Sequence, residues 1–359
     1  MEKKLKAGII GATGYVGQRF VTLLDGHPWF EAAKLAASAA SAGKSYEESV
    51  SGRWKIDREL PEYAKKMPVY DIAGAEAFCE GLDFVFCAVN MKKEEIRELE
   101  EKIARLEVPV VSNNSALRGV PDVPVIIPEL NFGHSAVIEH QRKRLGTKRG
   151  FVAAKPNCSI QSYVPALFPL TEYGPREVSV CTYQAISGAG KKLSDAPEVI
   201  GNIIPYIGGE EEKSEQEPLK IWGGVGDSGI IPASLPLISA QCYRVGVAEG
   251  HIAAVSVKFE RKPALDDILA AWKNWRTEPR KLGLPSAPEP FIRYMEDEGR
   301  PQPALDAGFE RGMGISVARL REDSLFDYKF VCLSHNTIRG AAGGAVLTAE
   351  LLKKQGWLD

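Results

Sequence analysis

Three features that would assign the chain to a particular class of protein are absent from its sequence. The 45 basic and 47 acidic residues leave a formal net charge of −2, so no basic excess supports nucleic-acid binding. No stretch approaches the roughly 20 apolar residues that a membrane-spanning helix needs. The six cysteines show no paired spacing such as C-x-x-C, which predicts reduced thiols and argues against a zinc site or a disulfide framework. These absences favour a cytoplasmic protein that acts on small molecules and holds no metal.

The length and the apolar pattern of the first half predict the first of two domains. A chain of 359 residues is too long for one ordinary core. In the first half, short apolar runs alternate with amphipathic segments, the pattern of a Rossmann-type, doubly wound parallel sheet. Strands are predicted over 5–10, 31–37, 84–89 and 108–112, and helices over 15–24 and 93–106. Because the first strand begins at Leu5, no signal peptide is expected before it.

The pattern changes after Lys155, where longer strands are predicted over 177–185, 238–245 and 251–259. Their spacing is typical of an α+β domain with a mainly antiparallel sheet. A final apolar helix over 337–354 begins with small residues and should pack back against the first domain. We therefore expect a dinucleotide-binding domain over 1–157, joined by the C-terminal helix at 335–359. A catalytic and oligomerisation domain would cover 158–334.

The segment between the first strand and the first helix carries three glycines. It consists of Gly11, Ala12, Thr13, Gly14, Tyr15, Val16 and Gly17. Glycines at such a turn let a pyrophosphate approach the helix N-terminus, where free N–H groups and the helix dipole favour anions. A glycine triplet alone is weak evidence, because any tight strand–helix turn recruits glycine. Its place directly after the first strand favours nucleotide binding.

The loop after the second predicted strand bears on which nucleotide is bound. Folds that bind NAD place an acidic residue here to bond the ribose 2′-hydroxyl, and this loop has none. Its Ser38, Ser41 and Lys44 could instead hold a 2′-phosphate, which favours NADP. On these residues alone, a plain surface loop is nearly as good an interpretation.

Cys158 is the candidate nucleophile. It follows Lys155-Pro-Asn157 and precedes an apolar segment, and a cysteine at a helix N-terminus has its thiolate stabilised by the dipole and by free N–H groups. A buried structural cysteine is the competing interpretation. Further along the chain, Arg244 and His251 flank a short strand and turn. Taken singly, they would be a surface ion-pair partner and a structural histidine.

Together these segments resemble the aspartate-semialdehyde dehydrogenases, and specifically their archaeal and fungal branch. The similarity runs nearly end to end, through GATGYVGQRF, SAGKSY, SNNSALRGVPDVPVIIPELN, PNCSIQ, YQAISGAG, IPYIGGEEEKSEQE, QCYRVGVAEGH, RPQP and SHNTIRGAAGGAVLTAELL. The resemblance implies NADPH-dependent reductive dephosphorylation of L-4-aspartyl phosphate to L-aspartate 4-semialdehyde through a cysteine thioester. It also implies a homodimer or homotetramer that serves the biosynthesis of lysine, threonine, methionine and isoleucine.

The resemblance implies three catalytic residues. Cys158 would be the nucleophile, His251 the general acid/base, and Gln184 the residue that orients the intermediate. A histidine suits its role because an ordinary pKa of about 6.5 lets it accept and give a proton at neutral pH. The matching cofactor contacts, besides the glycine turn and the loop after the second strand, would come from Ser187, Gly188 and Asn336.

Six residues would bind the substrate: Arg118, Asn114, Asn157, Glu210, Lys213 and Arg244. Arg244 would hold the α-carboxylate, and Glu210 would face the α-ammonium. The two remaining cations would bind the phosphate, with the two asparagines beside them.

One position departs from the family pattern. Members often carry an arginine that reaches the 2′-phosphate where this chain has Ala40. NADP remains the predicted cofactor, but its margin over NAD should be smaller than in relatives that keep the arginine.

Three alternatives stay open on the sequence. N-acetyl-glutamyl-phosphate reductase and malonyl-CoA reductase share several motifs, but neither substrate has a free ammonium for Glu210 to meet. The EEEKSEQE and PNCS segments argue against both. A catalytically silent NADP-binding regulatory protein would not need every nucleophile, base and anion-binding position, and an assay of reduced nicotinamide by absorbance would decide this.

Overall fold

The computed structural model describes residues 3–359, which build two large β-sheets. The strands of the first sheet are Leu5–Ile10 (β1), Phe30–Ala37 (β2), Val69–Asp71 (β3), Phe84–Cys87 (β4), Val110–Ser112 (β5) and Val152–Ala154 (β6). All are parallel, in the order β3-β2-β1-β4-β5-β6. The chain moves outward from β1 in both directions, and open α/β sheets bind ligands at the carboxyl ends of their strands beside such a switch point.

The second half of the chain supplies the other nine strands. They are Pro175–Gln184 (β7), Ile203–Ile204 (β8), Gly224–Gly226 (β9), Gly229–Ile231 (β10), Leu237–Val245 (β11), His251–Phe259 (β12), Ile292–Met295 (β13), Ile315–Glu322 (β14) and Tyr328–Ser334 (β15). Strands β9 and β10 form a hairpin, and the rest form a sheet in the order β13-β14-β15-β12-β7-β11-β8. Only the β7–β11 and β13–β14 pairs are parallel. The predicted fold class, a Rossmann-type sheet followed by a mainly antiparallel one, is confirmed.

The α-helices connect and cover these sheets. They are Tyr15–Leu23 (α1), Tyr46–Val50 (α2), Glu62–Lys65 (α3), Ala75–Cys79 (α4), Lys93–Arg105 (α5), Pro128–Asn131 (α6), Ile138–Leu145 (α7), Tyr163–Leu167 (α8), Glu210–Ile221 (α9), Leu265–Asn274 (α10), Glu278–Lys281 (α11), Pro303–Asp306 (α12) and Gly343–Lys354 (α13). Within residues 3–359, no helix is long and apolar enough to cross a membrane. In the same range, no group of three or more His, Cys, Asp or Glu side chains is placed to hold a metal ion.

The last helix starts later than the apolar pattern predicts. Residues Ile338–Ala342 form a wide helical turn in which Ala341 leaves helical geometry (φ −144°, ψ −105°), and α13 begins only at Gly343. This turn lies against Cys158, since a Cβ on Gly340 would stand 2.8 Å from the Cys158 Cβ. Glycine at position 340 is therefore required by close packing against Cys158.

Helix α13 returns the end of the chain to the first sheet. Its Ala345 and Ala349 are fully buried in one apolar cluster with Ile9 of β1 and Phe20 of α1. The sequence analysis predicted this packing from the small residues. A second cluster fills the space between the other sheet and its helices, with Trp272 of α10 at its centre.

Candidate active site

Cys158 and His251 face each other between the two sheets. Cys158 follows β6 after a short connection, and its Sγ lies 3.5 Å from Nε2 of His251, the first residue of β12. Strand β12 pairs with β7 and β15 in the middle of the second sheet, so the position of the fully buried histidine is fixed by a rigid element. Two of the three residues predicted to be catalytic are thus in contact.

A backbone hydrogen bond decides which nitrogen of His251 carries its proton. Nδ1 accepts from the N–H of Ala185 at 3.0 Å, so the neutral ring carries its proton on Nε2, facing Sγ of Cys158. Burial, followed by the charge of Arg244, lowers the pKa of His251 to about 3. The sequence analysis expected an ordinary value, and burial is the reason for the difference. At neutral pH the ring of the free protein is uncharged and presents a donor to the nucleophile.

Cys158 lies at the start of a helical segment, as the sequence predicts. The 3₁₀ turn Ser159–Gln161 follows it and leads through Ser162, which has helical geometry, into α8, so free N–H groups at this start can favour the thiolate. Burial, followed by the carboxylate of Glu210, raises the pKa of Cys158, while the charges of Lys155 and Arg244 oppose that rise. The nearby cations therefore favour the thiolate against the effect of burial.

Glu210, the first residue of α9, joins several predicted substrate residues into one network. Its carboxylate accepts from Asn157 Nδ2 at 3.0 and 3.2 Å, from Gln184 Nε2 at 3.3 Å and from Lys213 Nζ at 2.9 Å. Burial alone would raise its pKa, but the charge of Lys213 and these hydrogen bonds hold the pKa of Glu210 below the usual value. Glu210 is therefore a carboxylate at neutral pH, ready to accept from a cationic group.

Arg244 enters the same space from β11. Its Nη1 donates to the carbonyl of Ala185 at 2.7 Å, which leaves the rest of the fork available to a ligand. A Cβ on Gly188 would stand 2.9 Å from this Nη1 and 3.2 Å from Nε2 of His251. Glycine is needed at 188 because the turn passes directly over the catalytic residues.

The two predicted phosphate-binding cations line a single cavity of about 580 Å³. Arg118 donates to Glu217 at 2.8 Å and to the carbonyl of Asn113 at 2.8 Å, and its Nε is buried without a partner among the described residues. Lys213 lies across the cavity on α9. Glu217 also accepts from the N–H of Asn157 at 2.6 Å, so it joins Arg118 to the segment that carries the nucleophile. The sequence analysis did not single out Glu217.

Asn114 lies apart from this network. Its Nδ2 donates to Glu100 at 2.8 Å and approaches Cys87 Sγ at 3.3 Å, beneath the first sheet. It lines the nucleotide cleft described next rather than the cavity of Arg118. No local pattern could show this, because the partner of Asn114 comes from α5.

The glycine segment forms the expected turn between β1 and α1. Gly11 has φ +83°, and a Cβ there would stand 2.1 Å from the carbonyl oxygen of Ala88, so only glycine lets β1 and β4 end this close together. Gly14 caps α1 without a side-chain bond to its first N–H groups. Ala12 and Gly17 are buried beneath the turn. The first turn of α1 is therefore open to an anion.

A cleft of about 860 Å³ runs from this turn toward Cys158. Its lining includes the backbone of the glycine turn, the end of β2, the segment after β4 and the 188–190 turn. Asn113 Nδ2, on its wall, is buried and has no partner among the described residues. The size, the exposed helix start and the unpaired amide all fit a dinucleotide.

The catalytic end of this cleft is fixed by Asn336. Its Nδ2 donates to Ser187 Oγ and its Oδ1 accepts from the N–H of Gly250, both at 2.8 Å. These bonds join the turn that follows β7 to the residue before His251. The structure therefore brings Asn336, Ser187 and Gly188 together at one end of the cleft.

At the other end, only one of the three residues predicted for the 2′-phosphate lines the cleft. This is Ser38, whereas Ser41 is buried behind it and Lys44 turns its Nζ to the carbonyl of Ala40 at 3.1 Å. Two cations from the loop after α2, Arg53 and Lys55, line the cleft. Lys55 donates from Nζ to the carbonyl of Gly190 in the 188–190 turn, whereas Arg53 donates to Ser41 and lies on the side of Ser38. The sequence analysis missed it because nothing in the chain near Arg53 marks it as a ligand residue.

Comparison with known proteins identifies the family. The sequence model of the semialdehyde dehydrogenase NAD-binding domain matches residues 6–138, and that of the semialdehyde dehydrogenase dimerisation domain matches residues 167–339. An aspartate-semialdehyde dehydrogenase of Methanothermobacter thermautotrophicus is 41% identical over 353 residues, 98% of this chain and 99% of that protein. One of Candida albicans is 42% identical over 361 residues, covering 97% and 98%. The chain belongs to the aspartate-semialdehyde dehydrogenase family.

A solved structure agrees with this membership. The crystal structure of aspartate-semialdehyde dehydrogenase with NADP from Candida albicans superposes with a TM-score of 0.90 at 39% identity, covering 99% of this chain and all of that one. The resemblance stated from the sequence motifs is confirmed, and it includes both archaeal and fungal members of the family.

Proposed function

We propose that this protein is an NADP-dependent aspartate-semialdehyde dehydrogenase that makes L-aspartate 4-semialdehyde from L-4-aspartyl phosphate through a thioester on Cys158. The observation that carries the proposal is the network around the nucleophile. It combines a thiol beside a histidine, an arginine for a carboxylate, and a carboxylate for an ammonium within one buried space. The family's NAD-binding domain and the relative solved with NADP support the cofactor.

Each charged group of an aspartyl phosphate would have an oppositely charged side chain near Cys158. Arg244 offers a planar fork to the α-carboxylate, and the ionised Glu210 accepts from the α-ammonium. Arg118 and Lys213 face the phosphate from one cavity. A substrate with an acylated or missing amino group would leave Glu210 without a cationic ligand, which disfavours N-acetyl-glutamyl phosphate and malonyl-CoA.

The first chemical step uses Cys158 as nucleophile. Its thiolate attacks the acyl carbon, the carbon–oxygen bond to phosphate breaks, and the departing phosphate is held by Arg118 and Lys213. When the substrate binds, its phosphate and its ammonium add charges near the thiol of Cys158. The cations Lys155 and Arg244 favour its ionised form.

NADPH, when bound, supplies the hydride that reduces the thioester carbon. Residues of this chain stabilise the negative charge that then develops on the substrate oxygen. His251 carries its proton on Nε2, 3.5 Å from Sγ, so it can hydrogen-bond to the oxyanion that develops on the carbon attached to Cys158. When that oxyanion collapses, the carbon–sulfur bond breaks, the aldehyde leaves and Cys158 returns as the thiolate. Gln184, bonded to Glu210, would help orient this intermediate.

We assign the dinucleotide-binding part to residues 1–157 with the C-terminal helix at 335–359, and the catalytic part to 158–334. The matched dimerisation domain supports a homodimer or homotetramer. Large apolar side chains exposed on the second half would provide the contact, among them Tyr206, 61% exposed, and Leu237, 64% exposed. A cytoplasmic location suits the free thiols described above.

The proposal is tested by the reverse reaction. Purified protein is mixed with L-aspartate 4-semialdehyde, inorganic phosphate and either NADP or NAD, and the reduced nicotinamide is followed by absorbance. We expect phosphate-dependent reduction that is faster with NADP. Greater activity in the corresponding assays with malonyl-CoA or N-acetyl-glutamyl phosphate would overturn the assignment, and no activity with any of these substrates would point to the regulatory alternative.

A further inference from the structure

The 2′-phosphate end of the nucleotide cleft has no obvious cation in its own loop. Ala40 offers no polar side-chain group to a phosphate. Lys44, the one cation of the loop, bonds the carbonyl of Ala40 and does not line the cleft. A chain that uses NADP therefore needs positive charge from elsewhere, because a 2′-phosphate carries close to two negative charges.

Arg53 occupies that place from a different segment. Its Nη2 donates to Ser41 Oγ at 3.3 Å and to the carbonyl of Ser49, and its side chain lines the cleft together with Ser38. Both of its guanidinium bonds within residues 3–359 come from Nη2. The Nε and Nη1 donors remain available to an anion.

The backbone around Arg53 is fixed to the glycine turn. Gln18, fully buried on α1, donates from Nε2 to the carbonyls of Thr13 at 2.9 Å and Arg53 at 3.0 Å. Its Oε1 accepts from the N–H of Lys55 at 2.7 Å. One side chain therefore sets the distance between the pyrophosphate turn and the backbone of the segment that carries Arg53.

We infer that Arg53 is the residue that selects NADP over NAD in this protein, by pairing with the 2′-phosphate. This inference rests on the proposed use of NADP. Ser38 would complete the site as a hydroxyl donor beside the guanidinium. The planar fork of arginine suits a phosphate, and such charge-assisted contacts discriminate strongly against a ligand that lacks the charged group.

The test measures equilibrium binding, without turnover. Isothermal titration calorimetry of the full-length protein with NADP, NAD, 2′-AMP and 5′-AMP is done for wild type, Arg53→Ala, and two controls. The controls are Lys44→Ala, which removes the cation that lies closer in sequence, and Arg58→Ala, which removes an exposed arginine outside the cleft. For Arg53→Ala we expect the Kd for NADP and 2′-AMP to rise about tenfold, with NAD and 5′-AMP unchanged within twofold. Both control variants should bind all four ligands as wild type does.

Each outcome of these titrations either supports or overturns the role of Arg53. Unchanged binding of NADP by Arg53→Ala, or an equal loss for Lys44→Ala, would overturn it while leaving NADP as the cofactor. A wild type that binds NAD more tightly than NADP would instead refute the proposed cofactor. The double variant Arg53→Ala/Ala40→Arg should recover NADP binding, since it returns a guanidinium to the loop.

A second measurement uses only the wild-type chain, in case Arg53→Ala does not fold. Phenylglyoxal modifies accessible arginines, and mass spectrometry of the digest gives the extent at each one. We expect 2′-AMP, and not 5′-AMP, to protect Arg53, with Arg58 modified equally under all conditions. Equal modification of Arg53 with both nucleotides would contradict the assignment.

Discussion

The two ends of the nucleotide and substrate site differ in how they recognise their ligands. At the catalytic end, His251, Gln184 and Arg244 are buried, and each side chain has at least one protein partner. At the other end, Ser38 and Arg53 are exposed, and Arg53 is held through its carbonyl and through bonds from Nη2. Removing a charge from the buried network leaves its partner unpaired and out of contact with water, whereas charges at the exposed end are screened by solvent. Substitutions at the catalytic end should therefore lower binding and activity much more than substitutions at the 2′-phosphate end.

The largest effect is expected at the nucleophile. Cys158→Ser should lower phosphate-dependent oxidation of aspartate semialdehyde by about 1,000-fold or more, because a serine hydroxyl without a strong base is a weak nucleophile. Binding of NADP by calorimetry should be unchanged. The control Cys181→Ser alters the only other cysteine that is not buried and should keep wild-type activity. Activity of Cys158→Ser within tenfold of wild type would exclude the thioester.

The next effect concerns the charge pair that selects the substrate. Arg244→Ala and Glu210→Ala should each lower kcat/KM for aspartate semialdehyde by about 30-fold or more, because an unpaired buried charge costs on the order of 2–5 kcal/mol. Glu210→Ala should lose far less toward succinic semialdehyde, which lacks the amino group. Equal losses on both aldehydes would show that Glu210 serves the fold through Asn157 and Gln184 rather than the ammonium.

The third effect is a pH dependence of stability that comes from the lowered pKa of His251. Its pKa of about 3 in the folded chain lies below the unfolded value of about 6.5, so between these values the unfolded state binds more protons. Stability is therefore lost as the pH falls through this window. When the pH is lowered from 7 to 5, the unfolding free energy of wild type should fall by about 2 kcal/mol more than that of His251→Asn.

Denaturant titrations at the two pH values measure this difference. Asparagine is the suitable replacement because its side-chain oxygen can accept the Ala185 N–H that Nδ1 accepts now. The other histidines are common to both proteins and cancel in the comparison. The same pH dependence in both would mean that His251 titrates normally in the folded state.

The smallest effect is expected at the exposed end. Ala40→Arg in the wild-type background should tighten NADP by only about threefold, because Arg53 already supplies a cation and exposed charges are screened. Binding of NAD should not change. A gain of a hundredfold would show that the wild-type site lacks a cation for the 2′-phosphate, against the role given to Arg53.

Local patterns in the sequence predicted most of the fold. The bounds of β1 and β12 agree with their apolar runs, and the glycine turn lies where the motif placed it, because each depends on neighbours in the chain. The start of α13 was wrong by several residues, since the turn before it adapts to Cys158, a residue far away in sequence.

Residues of the site could be predicted from the sequence only where they lie in a family motif. Cys158 does contact His251, and Glu210 bonds Asn157 beside Cys158, but these tertiary contacts cannot be read from spacing. Glu217 and Arg53 were missed for this reason, and Asn114 lies on the cleft because of its bond to Glu100. The pKa of His251 was misjudged because the burial that lowers it cannot be read from the residues beside it.

The central claim, that an aspartyl group is transferred through Cys158, is tested most directly by a single-turnover experiment without phosphate. The enzyme is mixed with aspartate semialdehyde and NADP, the reduced nicotinamide is followed by stopped flow, and the quenched protein is digested for mass spectrometry. The account predicts a burst of one reduced nicotinamide per active site, an aspartyl adduct on the peptide that contains Cys158, and steady turnover only after phosphate is added. Steady turnover without phosphate, or a burst with the adduct on another residue, would contradict it.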